Sequence, residues 1–523
     1  MPKVYTETDF RLAAGETLSA TDELALEVSG HGSPGVWIDG TIQVSATSYP
    51  VVAGIDYNAA VINPAQVLIG PTGALRVHSD VSGIAVGIMA RTPVNVANRG
   101  IIEISSRDSA TGISAGSWDR RVENAGEIHV TGKFARGVDA NGGAHFVNSG
   151  LIDVLGVTPV DGSSPRGAVG VSYSGHAEYG SFTNTGTIRA RDPSADVEST
   201  GVHYSGKTPF INSGTVEADI ALSISGQQTF GDIATIQNSG SLIGRVLFGD
   251  LVERLVNTGR ITGLVELGGG DDVYDGALGT LEGPLRAGAG ADSVLGGLAG
   301  ETLSGDGGQD HIAGGGGADL IDGGAGAGTL YGGDGGDTLL GGAEQDFMRG
   351  EAGDDSLHGG DAWDNMHGNT GNDTLHGAGG NDWVVGGQDS DLLFGDAGDD
   401  YIVANLAADT AHGGEGRDTI LGGQSDDVLA GDAGDDYLSG DRGSDTLTGG
   451  AGADSFHAFT ASGADRIVDF DRAEGDQLVF RGATTYTATQ VGADVVVDFG
   501  GGDVVTLVGV SQSSLTAGWI VLV

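Results

Sequence analysis

The sequence predicts an all-β chain built from two successive solenoids, and three observations carry that expectation. Of 523 residues, 98 are Gly and only 11 are Pro; glycine at that density reads as disorder unless it is periodic, and here it is periodic. From residue 287 onward an apolar side chain returns every nine residues. Upstream, the pattern Asn-x-Gly-x-apolar returns at intervals of 26, 24, 36, 28, 26 and 19 residues. Such repeats bury their apolar faces on their neighbours and need no large globular core.

The shorter repeat is the more regular. Cut from Ala287, nineteen units of nine run in one phase to His457. Position six is Asp in 17 of them, with Glu301 and Gly328 as the exceptions. Position eight is apolar in all nineteen, from Val294 and Leu303 to Phe456, while position one is Gly in 17 and position four in 13. A degenerate unit with Asp272 and Tyr274 precedes the array, followed by an irregular stretch from Gly276 to Arg286. A Gly/Asp-rich linker would not hold an apolar residue at position eight in every unit. Carboxylates at a fixed period among glycines suit a hard cation. Calcium takes carboxylate and carbonyl oxygens, and glycine reaches the positive φ angles that turn carbonyls toward an ion.

This unit resembles the repeats-in-toxin (RTX) nonapeptide, G-G-x-G-x-D-x-(apolar)-x. The resemblance implies a parallel β-roll in which two nonads make one turn, each with a six-residue loop and a three-residue strand. It also implies Ca2+ between successive loops, held by the position-six Asp and backbone carbonyls. One edge would then carry Asp292, Asp310, Asp346, Asp364, Asp382, Asp400, Asp418, Asp436 and Asp454. The other would carry Asp319, Asp337, Asp355, Asp373, Asp391, Asp409, Asp427 and Asp445, and Asp272 joins the candidates from the degenerate unit. Gly328 should leave a weak or empty place on the first edge. The unit "ANLAADTAH" (404–412) keeps Asp409 but lacks every loop glycine, which puts its turn in question. Equivalent aspartates one turn apart would lie about 4.8 Å from each other. Their repulsion is roughly 3 kcal/mol per pair at an effective dielectric near 20. Metal binding and folding of the roll are therefore expected to be one event.

The charge is concentrated in the same region. Residues 1–265 carry 26 acids and 17 bases, whereas residues 266–523 carry 46 acids and 7 bases, with no Lys. Such a segment repels nucleic acid and anionic membranes and calls for a cation. No apolar run is long enough for a membrane-spanning helix. There is no Cys, hence no disulfide framework. The stretch "MPKVYTETDFRLAAGETLSA" holds no apolar run of the length a secretory signal needs. Beyond His457 the period stops, and "GADRIVDFDRAEGDQLVF" (463–480) and residues 492–523 alternate in polarity between turn signals. They resemble the end of RTX-type secreted proteins, where such a segment caps the roll and carries an uncleaved type I secretion signal. The expected organisation is thus a parallel β-helix over 1–265, the calcium-binding roll over 266–457, and a cap with secretion signal over 458–523. The partners expected are calcium, a type I exporter, and either further copies of the chain or a cell-surface polysaccharide. The location expected is outside, or on the surface of, a Gram-negative bacterium.

The longer repeat begins near residue 30. Its Asn-x-Gly-x-apolar motifs start at Asn98, Asn124, Asn148, Asn184, Asn212, Asn238 and Asn257. Rungs of about 25 residues with short alternating strands suggest a parallel β-helix in which the Asn side chains stack at a turn. The pattern resembles the β-helical passenger regions of bacterial surface proteins and adhesins. In the short segment before most motifs, Ile88, Ile113, Val138, Val171, Val202 and Leu222 should face inward, and Met89, Ser114, Asp139, Ser172, His203 and Ser223 outward. "GISAG" (112–116) matches G-x-S-x-G, but that motif needs a strand–turn–helix elbow. Ser114 and His203, three rungs apart, would be about 14 Å from each other, too far for a nucleophile and its base.

A second outward row follows each Asn by five residues: Glu103, His129, Asp153, Arg189 and Glu217. A His between two carboxylates suits acid–base chemistry on a polysaccharide; a solvated ladder of alternating charge is the plainer reading. A β-helix joined to an RTX roll resembles the architecture of alginate epimerases, yet their Asp-Pro-His motif is missing, since "DPS" at 192 lacks the His. His-Glu-x-x-His is also missing, and so is the apolar stretch of a pore-forming toxin. The expected function is that of a secreted calcium-binding solenoid with a structural, surface-layer, matrix or adhesive role. The alternative is a polysaccharide lyase or epimerase using Glu103, His129 and Asp153.

Overall fold

The computed structural model describes the chain except residues 1–2, 6–9, 22–25, 29–35, 40, 47–50, 58–64, 80–83, 91–93, 117–120, 142–143, 158–166, 176–179, 195–196, 207, 226–233 and 483. Part of the N-terminal stretch read above for a secretory signal lies outside the described residues, as do parts of the connections between rungs. The chain divides into two units, Met1–Arg286 and Ala287–Val523, the second beginning at the first residue of the nonad phase.

In the first unit most rungs contribute three short strands, as in Val94–Asn98, Ile101–Ser106 and Ser109–Gly116, while Thr215–Ile224 and Ser241–Leu247 each run two of them together. They pair in parallel with their equivalents one rung away: Glu103 lies beside His129, His129 beside Asp153, and Ile113 beside Val138, with a register shift where Thr215–Ile224 meets Ser241–Leu247. Strict register follows from the two-residue alternation of the strands, because a slip of one residue would turn the apolar set outward. Ile88, Ile113, Val138, Val171, Val202 and Leu222 are fully buried, as the alternation predicts. Larger rings fill the middle rungs: Phe146, Phe182 and Phe210 follow one another at centroid separations of 4.8 and 4.7 Å.

The rung asparagines form one buried hydrogen-bonded column. Asn98 Nδ2 donates to Asn124 Oδ1 at 2.8 Å, and the same bond repeats through Asn148, Asn184, Asn212 and Asn238 to Asn257. Each amide has two donors and an acceptor to satisfy, and the next rung supplies partners for them. The glycine two residues on is required by close approach. A Cβ on Gly126 would collide with the carbonyl oxygen of Gly100, and one on Gly150 with that of Gly126.

In the second unit successive nonads alternate between two parallel sheets. Trp383–Gln388 pairs with Tyr401–Leu406, eighteen residues on, and Leu392–Ala397 pairs with Thr410–Glu415. Two nonads therefore make one turn, as expected of a β-roll. The position-eight residues form the interior: Leu330, Met348, Leu357, Met366, Val384 and Leu393 are all fully buried.

The turn of 404–412 is intact, contrary to what its missing glycines suggest. Asn405 and Ala407 take positive φ of 85° and 79°, in the places where other units use Gly. The left-handed conformation costs a non-glycine residue roughly 1 kcal/mol, which the stacked turns on either side absorb. After His457 the roll gains further parallel strands, Ala464–Ile467 on one sheet and Gln477–Arg481 on the other. An antiparallel meander, Thr487–Val491, Asp494–Gly500 and Asp503–Leu507, then closes this end.

Candidate metal centre

The position-six aspartates lie in two buried columns with one repeated geometry. The backbone N–H of each donates to Oδ1 of the aspartate one turn on, as in Asp364 to Asp382 at 2.8 Å, Asp382 to Asp400 at 2.7 Å and Asp400 to Asp418 at 2.8 Å. On the other edge Asp355, Asp373, Asp391 and Asp409 are linked in the same way. Every candidate aspartate from Asp272 to Asp454 is buried.

The second carboxylate oxygen is left without a partner. In sixteen aspartates from Asp310 to Asp454, Oδ2 is buried and accepts no hydrogen bond. A buried acceptor without a donor costs about 1–3 kcal/mol, and more if it is charged. Sixteen in one small unit is far beyond what a stable protein tolerates without a further ligand. In fifteen of these sixteen nonads Oδ2 points at the position-one glycine of its own unit; in the Asp409 unit that place is Ala404. A Cβ on Gly377 would collide with Asp382 Oδ2, and one on Gly395 with Asp400 Oδ2, with the carbonyl oxygen of the next turn close on the other side. Glycine at position one therefore keeps open a pocket bounded by a carboxylate oxygen and a carbonyl oxygen.

This donor set fits Ca2+. Among the described residues no three His, Asp or Glu side chains converge on one point. A cation in the columns would thus draw most of its six to eight oxygens from backbone carbonyls. A softer metal seeking imidazole or thiolate would find neither there.

Without a counter-ion the folded columns keep their protons to higher pH than free carboxyls do. Burial raises these carboxyls above their ordinary range, with neighbouring aspartates adding to the shift and the backbone N–H bonds opposing it. Asp310 and Asp346 are pushed up to about 6, Asp355, Asp364 and Asp400 to about 7, and Asp391 to about 8.

Two departures from strict repetition matter. At Gly328 the N–H still donates to Asp346 Oδ1 at 2.6 Å, but the unit supplies no carboxylate. A cleft of 590 Å3 opens there, lined by Asp310, Gly328, Asp346, Phe347 and Trp363. The columns also run past the nonads. Asp445 N–H donates to Asp465 Oδ1, Asp454 N–H to Asp476 Oδ1, and Ala461 N–H to Asp503 Oδ1. In the first unit Glu253 N–H donates to Asp272 Oδ1, and burial beside Asp272 pushes Glu253 up to about 8. Asp465 and Asp476 sit 20 and 22 residues after their partners instead of 18. Cutting the chain strictly into nines passes over them, although both still follow a glycine within two residues.

The row on the first unit has a different character. Glu103 is held by Arg76 Nε at 2.6 Å, Asp153 by Arg191 Nη2 at 2.7 Å, and Glu217 by Arg189 Nε at 2.7 Å. His129 Nε2 lies 3.0 Å from Glu127 and its Nδ1 3.9 Å from Asp153. Glu103 and His129 share a cleft of 370 Å3 with Arg76, His78 and Thr131. The register brings Glu103, His129 and Asp153 onto neighbouring strands, with both carboxylates matched by arginine. Ser114 and His203 lie three strand pairings apart. His203 Nε2 bonds to Ser225 Oγ at 3.1 Å.

Comparison with known proteins agrees with the second unit. The family model of the RTX calcium-binding nonapeptide repeat matches residues 295–330, 331–362, 358–393, 394–429, 403–438 and 421–456. Among solved structures the chain is similar to the extracellular lipase LipA from Serratia marcescens, at 21% identity and a TM-score of 0.16. The match covers 34% of this chain and 40% of the lipase. No curated protein matches the sequence. Among the described residues no helix is long and apolar enough to cross a membrane. Residues 295–456 are a run of RTX calcium-binding nonapeptide repeats, folded as a β-roll.

Proposed function

We propose that the chain is a secreted calcium-binding solenoid whose roll folds on meeting Ca2+ outside the cell, and that it serves a structural, surface-layer, matrix or adhesive role. The observation that carries this reading is the pair of buried carboxylate columns, with one unsatisfied oxygen in each of the sixteen aspartates from Asp310 to Asp454. In this reading the metal ligands are Asp272, Asp292 and the position-six aspartates from Asp310 to Asp454, each completed by backbone carbonyls. Where calcium is scarce, repulsion within the columns keeps the segment unfolded and able to thread a narrow exporter. Millimolar calcium outside exceeds the weak affinity usual for extracellular sites, and coupling between turns sharpens the transition.

In this reading residues 1–265 present a rigid β-helical surface, 266–457 form the roll, and 458–523 cap it and carry a type I secretion signal. The paired charges around Glu103, His129 and Asp153 then solubilise one face of the β-helix. Expression in a Gram-negative host with and without a type I exporter tests the proposal. The full chain should reach the medium only with the exporter, and removing residues 458–523 should abolish release. Exporter-independent release, or release that survives the truncation, would count against this route.

A further inference from the structure

Three aromatic side chains on the roll supply no ligand to the calcium columns, although they border one of them. Trp363, Trp383 and Tyr401 are exposed, at 40%, 42% and 42%, and line one cleft of 520 Å3 with Asn381, Asp382 and Asp399. Tryptophan is rarely left this open on a protein surface, and two beside a tyrosine form an apolar patch of the kind that marks a binding site. Register builds the cluster. Trp383 and Tyr401 are paired residues of adjacent strands, their rings perpendicular at 6.2 Å. Trp363 leads into Asn365–Thr370, the strand on the other side of Trp383. The three rings thus come from three successive turns, at about 4.8 Å per turn.

The polar groups at the rim are fixed. Asn381 Oδ1 accepts from Asp399 N–H at 3.0 Å, which anchors the carboxamide and leaves its exposed Nδ2 as a donor. Asp399 Oδ1 accepts from Arg417 N–H at 2.9 Å, and Asp399 Oδ2 lies 3.6 Å from the Arg417 guanidinium. Rigid aromatic faces edged by an amide donor and a carboxylate acceptor match a molecule with apolar C–H faces and a rim of hydroxyls. On these strands and the next one, Thr419–Gln424, a second groove of 1210 Å3 is lined by Val385, Gln388, Val403, Leu421 and Gln424 among others.

Charge selects among such molecules. The surrounding segment 266–523 carries 46 acids and 7 bases, which repels an anionic polymer. A small cation would suit the rings, but Asp382 in the cleft floor belongs to the calcium column, so a bound Ca2+ would oppose it. We propose that Trp363, Trp383 and Tyr401 form a binding site for a neutral polysaccharide, the perpendicular rings of Trp383 and Tyr401 presenting a face and an edge to the C–H surfaces of the sugars and Asn381 and Asp399 bonding their hydroxyls. The site rests on the reading of the second unit as a calcium-folded roll.

The test uses the full chain in calcium, with cellulose, starch, mixed-linkage β-glucan and dextran as neutral probes, polygalacturonate as the acidic probe and choline as the cationic one. Retention is read by pull-down and affinity electrophoresis, and contact at the rings by tryptophan fluorescence. At least one neutral polymer should retain the protein, with at least tenfold loss in Trp383→Ala and in Trp363→Ala. Circular dichroism of the same samples should show an unchanged calcium transition in both variants, and Tyr401→Ala serves where either fails to fold. With that transition present, three results would overturn the site: no retention on any neutral polymer, retention that survives these substitutions, or a fluorescence response to choline or polygalacturonate alone. An absent calcium transition would instead overturn the reading of the roll on which the site depends.

Discussion

Gly328 and Asn148 show how much one side chain decides in a stacked repeat. Gly328 lies outside the left-handed region and already donates its N–H to Asp346, so only the carboxylate is missing. Gly328→Asp should complete the first edge, adding one bound calcium per chain by calorimetry and lowering the calcium midpoint. An unchanged stoichiometry would show that the gap has another cause. Asn148 sits between Asn124 and Asn184, so Asn148→Ala orphans a buried donor and a buried acceptor. At about 1–3 kcal/mol for each orphan, the loss should be roughly 2–6 kcal/mol of stability in the first unit. Glu103→Ala, which breaks an exposed pair with Arg76, should cost under about 1 kcal/mol. Equal losses from the two, measured by thermal unfolding, would contradict the buried-column account. Both columns were legible in the sequence because their residues recur at fixed spacing from a glycine. Asp465 and Asp476 were not, because loops two and four residues longer break the phase while the fold restores it.

At the scale of the element, each turn of the roll is a balance between buried carboxylates and whatever neutralises them. The sign of the pH dependence follows from the shifts. Asp355, Asp364 and Asp400 titrate near 7 and Asp391 near 8 when folded, against about 3.9 in an unfolded chain. A carboxyl raised in the folded state binds more protons folded than unfolded. Its contribution is therefore fully present below about pH 4 and lost as pH rises through 6 to 8. In chelator, β-structure in the roll should be retained near pH 4 and lost between about pH 6 and 8, whereas with calcium it should persist at pH 8. A calcium-free roll that gains structure as pH rises would reverse this account. The aromatic cleft also belongs to this scale. It was hidden in the sequence because Trp363 occupies position five of its unit and Trp383 and Tyr401 position seven. Only the register of neighbouring turns brings those two phases together.

At the scale of the molecule, the two units solve the same stacking problem with different chemistry. From Asn98 to Asn257 the first closes its turns with a column of neutral amides that satisfy one another. The second closes them with carboxylates that cannot do so. Charge is as uneven as this chemistry: residues 1–265 carry 26 acids and 17 bases, while 266–523 carry 46 and 7. It also predicted a doubtful turn at 404–412 that proved intact, because stacking on both sides outweighs the local preference of Asn405 and Ala407. A far-UV circular dichroism titration of the full chain with Ca2+ at pH 8, with Mg2+ as the control, tests the central claim most directly. The first unit should supply β-signal at zero calcium, and the roll should add to it in one cooperative step that Mg2+ does not reproduce and chelator reverses. A β-signal unchanged by calcium and by chelator would mean that the aspartate columns are not ligands and that some other contact holds the roll together.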